Sequence, residues 1–371
     1  MGYSKKRNLL FCALDIGGRI EHYTAFIKKK YDNVVVESFV KVKLPNKQYD
    51  AEYDYHFNYH NKKKLSQWII SAGFFVFTLF KYDIIYIISG ENILTRKLIN
   101  FEIWCYKVLK KKIVFHFVGG DIRSSDYLTW VNDSLTKAPI NIMPEKQQAY
   151  QIKLCELAQK YATFIIVSTP DLIEFFTKKV YYIPVFINHE KFKSYRFKKK
   201  LIASNSVKIL HAPSNARIKG SLFIESKIKL IKLKHPKLEA IITTDKKHAE
   251  NIHPPYSISK SKLISLMESS NIVVDQVVIG WYGLQSIEAL ITGNKVIVWI
   301  PKELTKYIQK DCPIDHYQNR LNIEETISRI VQEKNKNQQP LINDWVKKNH
   351  TIENNIDINK IFKSLLINIE L

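Results

Sequence analysis

The stretch from Ile272 to Ile300, IVVDQVVIGWYGLQSIEALITGNKVIVWI, limits the possible fold more than any other part of the chain. Ile272 to Asp275 is a short apolar, β-branched run, as a parallel strand buried on both faces requires. A loop from Ile279 to Gly283 follows, with Gly280 and Gly283 flanking Trp281 and Tyr282. The spacing predicts a helix over Leu284 to Thr292, a glycine C-cap at Gly293 and a further strand over Lys295 to Ile300. That order is a βαβ unit. In such sheets ligands bind at the carboxyl ends of the strands, where loop glycines and helix N-termini face an anion. Glu288 lies about one turn into the predicted helix.

The same alternation runs through the N-terminal half. Strands are predicted over Asn8 to Asp15, Val34 to Val42, Ile84 to Ser89, Ile113 to Val118, Phe164 to Ser168 and Val180 to Ile183. Helices are predicted over Leu65 to Phe80, Leu94 to Leu109, Glu145 to Tyr161 and Asp171 to Thr177. Strands alternating with helices imply a parallel sheet covered on both faces, hence an α/β fold. The chain's 371 residues suit two domains, each with its own core. The polar stretch Lys193 to Ser206 reads as the linker.

A hydrophobic content of 46% excludes a disordered chain. The four cysteines, Cys12, Cys105, Cys155 and Cys312, form no C-x-x-C pair, which points to a reducing compartment and no zinc site. The first residues hold only a short apolar run, so no secretory signal is expected and the location is expected to be cytoplasmic. The net charge is +22, with lysine triplets at 28–30, 62–64, 110–112 and 198–200. Such charge favours polyanions or an anionic membrane surface. No nucleic-acid motif accompanies it, so nucleic acid is not expected as a partner. Leu65 to Phe80, about sixteen residues, is shorter than the roughly 20 needed to span a bilayer. With Lys62 to Lys64, the aromatic helix Trp68 to Phe80 is the expected membrane-facing region.

The Ile272 to Ile300 segment resembles the C-terminal donor-binding region of GT-B glycosyltransferases, especially the family-4-like retaining group. That group has a strand, E-G-F-G, then a helix ending L-E-A-M-A-x-G-x-P-V. Gly280-Trp281-Tyr282-Gly283 stands for E-G-F-G, Ile287-Glu288-Ala289-Leu290 for L-E-A-M, and Gly293-Asn294-Lys295-Val296 for G-x-P-V. The form D-Q-x-x-I-G-W-Y-G looks like one bacterial subgroup. His211 to Gly220, HAPSNARIKG, resembles the loop that opens the same domain. Tyr181-Tyr182-Ile183-Pro184 and the following residues resemble the GT-B hinge. His116 to Arg123, HFVGGDIR, resembles the H-x-H-G-x-D-x-R loop of the N-terminal domain, with Val118 in place of the second histidine.

The resemblance implies a GT-B fold, two Rossmann-like domains with parallel sheets facing across a cleft. Residues 1–190 would form the acceptor side, with a helix at about 345–371 packing back on it, and residues 205–344 would bind the donor. The implied donor-binding residues are Gly17, Gly18, Asn215, Arg217, Lys219, Gly283, Leu284 and Glu288. Arg217 and Lys219 would hold the diphosphate and Glu288 the ribose, while His22, Asp121 and Arg123 would serve the acceptor. Asp121, Arg217, Lys219 and Glu288 would carry the catalysis. Gly280 replaces the first glutamate of the family pattern. The implied reaction is transfer of a sugar from a nucleotide sugar to a glycan or lipid-linked acceptor in surface polysaccharide or lipopolysaccharide biosynthesis. No metal and no cofactor are expected, and the absence of any Asp-x-Asp pair speaks against a metal-dependent GT-A transferase. Two alternatives stay open: a non-catalytic nucleotide-sugar-binding scaffold, and a nucleotide-sugar epimerase.

Overall fold

A computed structural model describes residues 6–41, 52–57, 64–123, 145–188, 207–243, 258–317, 322–332 and 339–367. The Lys193 to Ser206 linker, Lys62 and Lys63 lie outside these residues. The chain divides into two compact units. The first holds the described residues up to Arg123, those from Glu145 to Phe186, and those from Ile352 onward. The second holds the described residues from Ile187 to Thr351.

The first unit is built on strands β1 (Arg7–Cys12), β2 (Val34–Val40), β3 (Tyr55–His56), β4 (Ile84–Ile88), β5 (Lys112–Phe117), β6 (Phe164–Val167) and β7 (Val180–Tyr182). They pair in parallel in the order β3-β2-β1-β4-β5-β6-β7. Every residue of β4 is buried, because both faces of the sheet are covered. Side chains alternate across a strand, so neighbours serve opposite cores. Leu9 and Phe11 join Tyr86 and Ile88 on one face; Leu10 and Cys12 join Ile85 and Ile87 on the other. The first face is covered by α1 (Arg19–Lys30) and the second by α2 (Lys64–Lys81), α3 (Ile99–Val108) and α4 (Glu145–Tyr161).

Two expected helices are shorter or tighter than the sequence implies. A 3-10 turn, Arg96–Leu98, precedes α3 where one helix over Leu94 to Leu109 is expected. The buried carboxylate of Glu102 accepts the Ile93 and Leu94 N–H groups, at 2.9 and 2.8 Å, and so holds the chain in a loop there. The segment after β6 is likewise a 3-10 turn, Pro170–Phe175.

The second unit contains β8 (Val207–His211), the short helix α5 (Ala216–Lys219), α6 (Ser221–Lys234), β9 (Leu238–Ile242), α7 (Lys260–Glu268), β10 (Ile272–Gln276), α8 (Leu284–Ile291), β11 (Lys295–Trp299), β12 (Asp315–Tyr317), α9 (Ile323–Gln332) and α10 (Gln339–His350). Its parallel sheet runs β12-β11-β10-β8-β9. Counted within the unit this is the doubly wound order 5-4-3-1-2, which reverses direction between β8 and β10. Loops leaving adjacent strands at such a point go to opposite faces and open a crevice at the carboxyl ends.

The sequence reading returns the chain to the N-terminal domain from about residue 345. The structure keeps α10 in the second unit, where Trp345 and His350 pack near the Tyr282 ring at centroid distances of 6.5 and 5.6 Å. The Ile187 N–H donates to the His350 carbonyl at 2.9 Å. The final helix, α11 (Ile356–Ile367), belongs to the first unit and buries Ile358, Ile361, Phe362 and Leu365 in the core around Phe11 and Tyr23. No helix among the described residues is long and apolar enough to cross a membrane.

Candidate functional site

The strand ends flanking the reversal in the second sheet carry most of the residues singled out from the sequence. β8 ends at His211, whose ring is fully buried and fixed at both nitrogens: Nδ1 lies 2.8 Å from the Val274 carbonyl and Nε2 2.8 Å from Ser221 Oγ. His211 therefore ties β8 to β10 and to the first turn of α6. Asn215 starts α5, its side-chain oxygen accepting the Ile218 N–H at 3.1 Å. Gly220 has φ +75°, and a Cβ there would come within 2.4 Å of Val277 Cγ2. This close approach brings the Lys219 carbonyl to the Val277 N–H at 3.1 Å and joins the two loops.

The loops meet chemically at an ion pair. Lys219 Nζ donates to Asp275 Oδ1 at 2.6 Å, and the Asp275 side chain is fully buried. Ser286 Oγ and the Gly283 N–H donate to Asp275 Oδ2 at 2.6 and 3.4 Å. Burial opposes ionisation of this carboxyl, but the Lys219 charge and these hydrogen bonds outweigh it and hold it below the ordinary carboxylate range. Lys219 is thus already the partner of a carboxylate, where the sequence expectation is a cation that, with Arg217, holds the diphosphate.

Gln276, fully buried, shapes the glycine loop. Its side-chain oxygen accepts the N–H groups of Val278, Ile279 and Gly280 at 2.9, 2.8 and 3.3 Å. Its side-chain nitrogen donates to the carbonyls of Trp281 and Trp299 at 2.7 and 3.3 Å. The Asp-Gln pair of the motif therefore divides its work: Asp275 holds the lysine, and Gln276 folds the loop that delivers Gly283 and Leu284 to the start of α8. The N–H groups of a helix's first turn have no partners within the helix. Gln285 adds a side-chain nitrogen that is buried without a hydrogen-bond partner among the described residues. Glu288 is buried on α8 and ion-paired with Lys260, the first residue of α7. Burial raises the Glu288 carboxyl above its ordinary range, the Lys260 charge opposing and the Asp275 charge adding to the shift. The side chain of Arg217 lies outside the described residues.

In the first unit the candidate residues cluster at the ends of β1 and β5. Gly17 and Gly18 have φ of +76° and +70°, and Gly18 precedes α1. Asp15 already occupies this helix start: its carboxylate accepts the Ile20 N–H at 3.2 Å and the Tyr53 hydroxyl at 3.1 Å. A phosphate placed on this loop would meet that carboxylate. His22 is half-buried on α1. Asp121 accepts the N–H groups of Val118 and Gly119 at 2.9 and 2.7 Å and so closes its own turn. Burial raises its pKa, and these N–H groups pull it back. The Arg123 guanidinium is buried against Asp171 Oδ2 at 2.7 Å and Thr169 Oγ1 at 3.1 Å, binding the loops after β5 and β6. This is a structural role where the sequence reading has an acceptor contact. His116 is a core residue, 3.1 Å from the Tyr86 hydroxyl and 2.8 Å from Ser168 Oγ.

No family model matches the chain, and no curated protein matches it in sequence. Solved structures do match in shape along nearly the whole chain. A glycosyltransferase from Rickettsia africae superposes with a TM-score of 0.61 at 15% identity, covering 99% of this chain and 100% of that one. Sucrose-phosphate synthase from Thermosynechococcus elongatus gives 0.60 at 12% identity, covering 98% and 100%. HepE from Anabaena, in complex with UDP and glucose, gives 0.58 at 14%, covering 97% and 100%. The fold is GT-B. Within this GT-B chain, Asp275, Gln276, Lys260 and Asp15 are the polar residues that sequence reasoning missed. Asp275 and Gln276 carried a usable signal, because polar side chains ending an apolar strand require partners. Asp15, which ends the expected strand Asn8 to Asp15, carried the same signal, and Lys260 carried none.

His211 makes the site sensitive to acid. Burial lowers its pKa from 6.5 to about 4. The unfolded chain thus takes up a proton near pH 6.5 that the folded chain refuses until about pH 4. Stability from this residue is present above pH 6.5 and falls as the pH drops toward 4, by at most about 1.4 kcal/mol per pH unit. Urea unfolding between pH 7 and 5 should show a shallower pH slope for His211→Gln than for the wild type. Equal slopes would assign the acid sensitivity elsewhere.

Proposed function

We propose that the chain is a glycosyltransferase that moves a sugar from a nucleotide sugar to a glycan or lipid-linked acceptor. The carrying observation is the assembly at the switch point of the second sheet: the Lys219–Asp275 pair, the N-terminus of α8 at Gly283 and Leu284, and the buried carboxylate of Glu288. Each part suits one part of a nucleoside diphosphate. Lys219 and the backbone amides would hold the diphosphate, with Arg217 adding charge, and Glu288 would accept hydrogen bonds from the ribose hydroxyls. Departure of the diphosphate leaves an oxocarbenium-like sugar, and the positive groups stabilise the leaving charge without a metal. The acceptor side would fall to the first unit, around His22 and Asp121. Family-4 character, a retaining course and a place in surface polysaccharide or lipopolysaccharide assembly at the cytoplasmic face follow from the motif resemblance. The HepE structures, which hold UDP and UDP-glucose, support a nucleotide sugar as the ligand class.

The test is release of nucleoside diphosphate from a panel of nucleotide sugars, beginning with UDP-glucose, with and without acceptor glycans. Acceptor-dependent release supports transfer. Binding without release would support the non-catalytic reading, and recovery of an altered nucleotide sugar without acceptor would support epimerisation. Glu288→Gln should weaken binding of the nucleotide sugar about 10- to 100-fold, since a charge-assisted hydrogen bond contributes roughly 1.5–3 kcal/mol. Lys260, half-buried, stays hydrated in that variant, so the melting temperature should hold. Calorimetric titration showing unchanged affinity would remove Glu288 from the donor site.

A further inference from the structure

Helix α2 packs Phe74, Phe75 and Leu79 on the core but turns more of its large apolar side chains outward. Its buried residues are Ser71, Phe75 and Thr78, two of them hydroxylic, and Thr78 Oγ1 donates to the Phe75 carbonyl. Its outward residues include Leu65, Trp68, Ile69, Val76, Phe77 and Phe80, with Trp68 50% and Phe80 83% exposed. Their spacing of three and four places them in one stripe. Helix α3 adds apolar surface beside it, Phe75 of α2 lying 6.1 Å from Phe101 and 5.7 Å from Tyr106 between ring centroids. It buries Ile99, Glu102, Ile103 and Tyr106, yet still exposes Phe101, Trp104 and Val108, with Trp104 53% exposed. A groove of ≈ 680 Å³ between α3 and α4 continues this face, lined by Phe101, Trp104, Ile152 and Tyr161. Packing does not require these side chains to point outward, and an apolar face of this extent on a charged protein marks an interaction surface.

Charge selects the occupant. Lys64, Lys97, Lys107, Lys110 and Lys160 are exposed along the same three helices and their ends, and Lys153 lines the groove. Against them stand two exposed acidic residues of α4, Glu145 and Glu156. A second copy of the chain docked on this face would set lysine against lysine. An anionic bilayer presents negative headgroups to the lysines and an acyl boundary to the aromatics, the setting in which Trp side chains are most favoured.

We propose that the outer face of α2, α3 and α4 is a docking surface for an anionic lipid bilayer. The sequence marks only α2 and its flanking lysines; the structure adds α3, α4 and the groove. The aromatics enter the interface while the lysines stay at headgroup level, and the protein remains on one side of the membrane. This inference does not depend on the transferase reading.

The test is co-sedimentation of the full-length protein with phosphatidylglycerol and with phosphatidylcholine vesicles, at low and at high salt. Wild type should bind the anionic vesicles preferentially. Salt should weaken that binding several-fold without abolishing it, because the aromatic part is not screened. Phe101→Ser with Trp104→Ser on α3, and separately Trp68→Ser with Phe80→Ser on α2, should each lower the partition coefficient at least about tenfold. Circular dichroism melts check that the variants fold, and Lys107→Ser with Lys110→Ser, which leaves every apolar side chain in place, should lower binding at low salt only. No binding of wild type to anionic vesicles at low salt would overturn the proposal. So would unchanged binding in both aromatic variants, or a dimer seen by sedimentation velocity that those substitutions dissolve.

Discussion

Lys219→Met is expected to destabilise the second unit by about 3–5 kcal/mol, because it leaves the buried Asp275 carboxylate without its counter-charge. Asp275→Asn should cost less, since Lys219 reaches solvent with 12% of its side chain exposed. The double variant should recover a large part of the loss, giving a coupling energy of several kcal/mol in a urea-unfolding cycle. The same Lys219 variant should lose nucleotide-sugar affinity, whereas the double variant should regain stability without regaining binding. That split separates the lysine's structural role from its ligand role. A Lys219→Met variant as stable as the wild type would show that the pair holds nothing together.

The second large effect is expected at Gln276. Gln276→Leu strands three loop N–H groups and two carbonyls that the amide now satisfies. Each buried polar group left unpaired costs about 1–3 kcal/mol before relaxation, so a loss of at least about 3 kcal/mol is expected. The loop from Val278 to Gly283 should open first. Hydrogen exchange of its amides should accelerate well before global unfolding, and donor binding should fall with it. Exchange rates matching the wild type would mean that the backbone, and not Gln276, sets the shape of the loop.

These two residues also mark the limit of what the sequence revealed. The βαβ unit from Ile272 to Ile300 was legible because every local signal agreed: β-branched strands, a glycine loop, a helix and a C-cap glycine. α4 was legible, and the helix expected over Glu145 to Tyr161 is found over the same described residues. β3 and β12 were not legible, because strands of two and three residues carry no measurable alternation. β9 reads LEAII, too mixed to stand out next to α6. The site was half-legible for a related reason. The loops mark Lys219 and Glu288 as candidates, but their partners Asp275 and Lys260 lie 56 and 28 residues away along the chain, and only the sheet order brings them together. The motif names Asp275 without saying which cation it holds. Arg123 shows the same limit: its motif suggests an acceptor contact, and its buried pairing with Asp171, which lies outside that motif, is visible only in the structure.

The Lys219–Asp275 pair has a consequence for turnover. In the proposed donor site, a lysine already matched by a carboxylate presents little net charge to an arriving diphosphate, and the attraction would come from its ammonium protons, the Leu284 amide and Arg217. A spent nucleoside diphosphate would then sit in a pocket that is nearly neutral without it. Such a pocket grips less tightly than one of bare cations, and it regains a complete ion pair once the product has gone. In a transferase of this design the empty state would be restored by an internal contact ready to re-form, which favours rapid release over product inhibition.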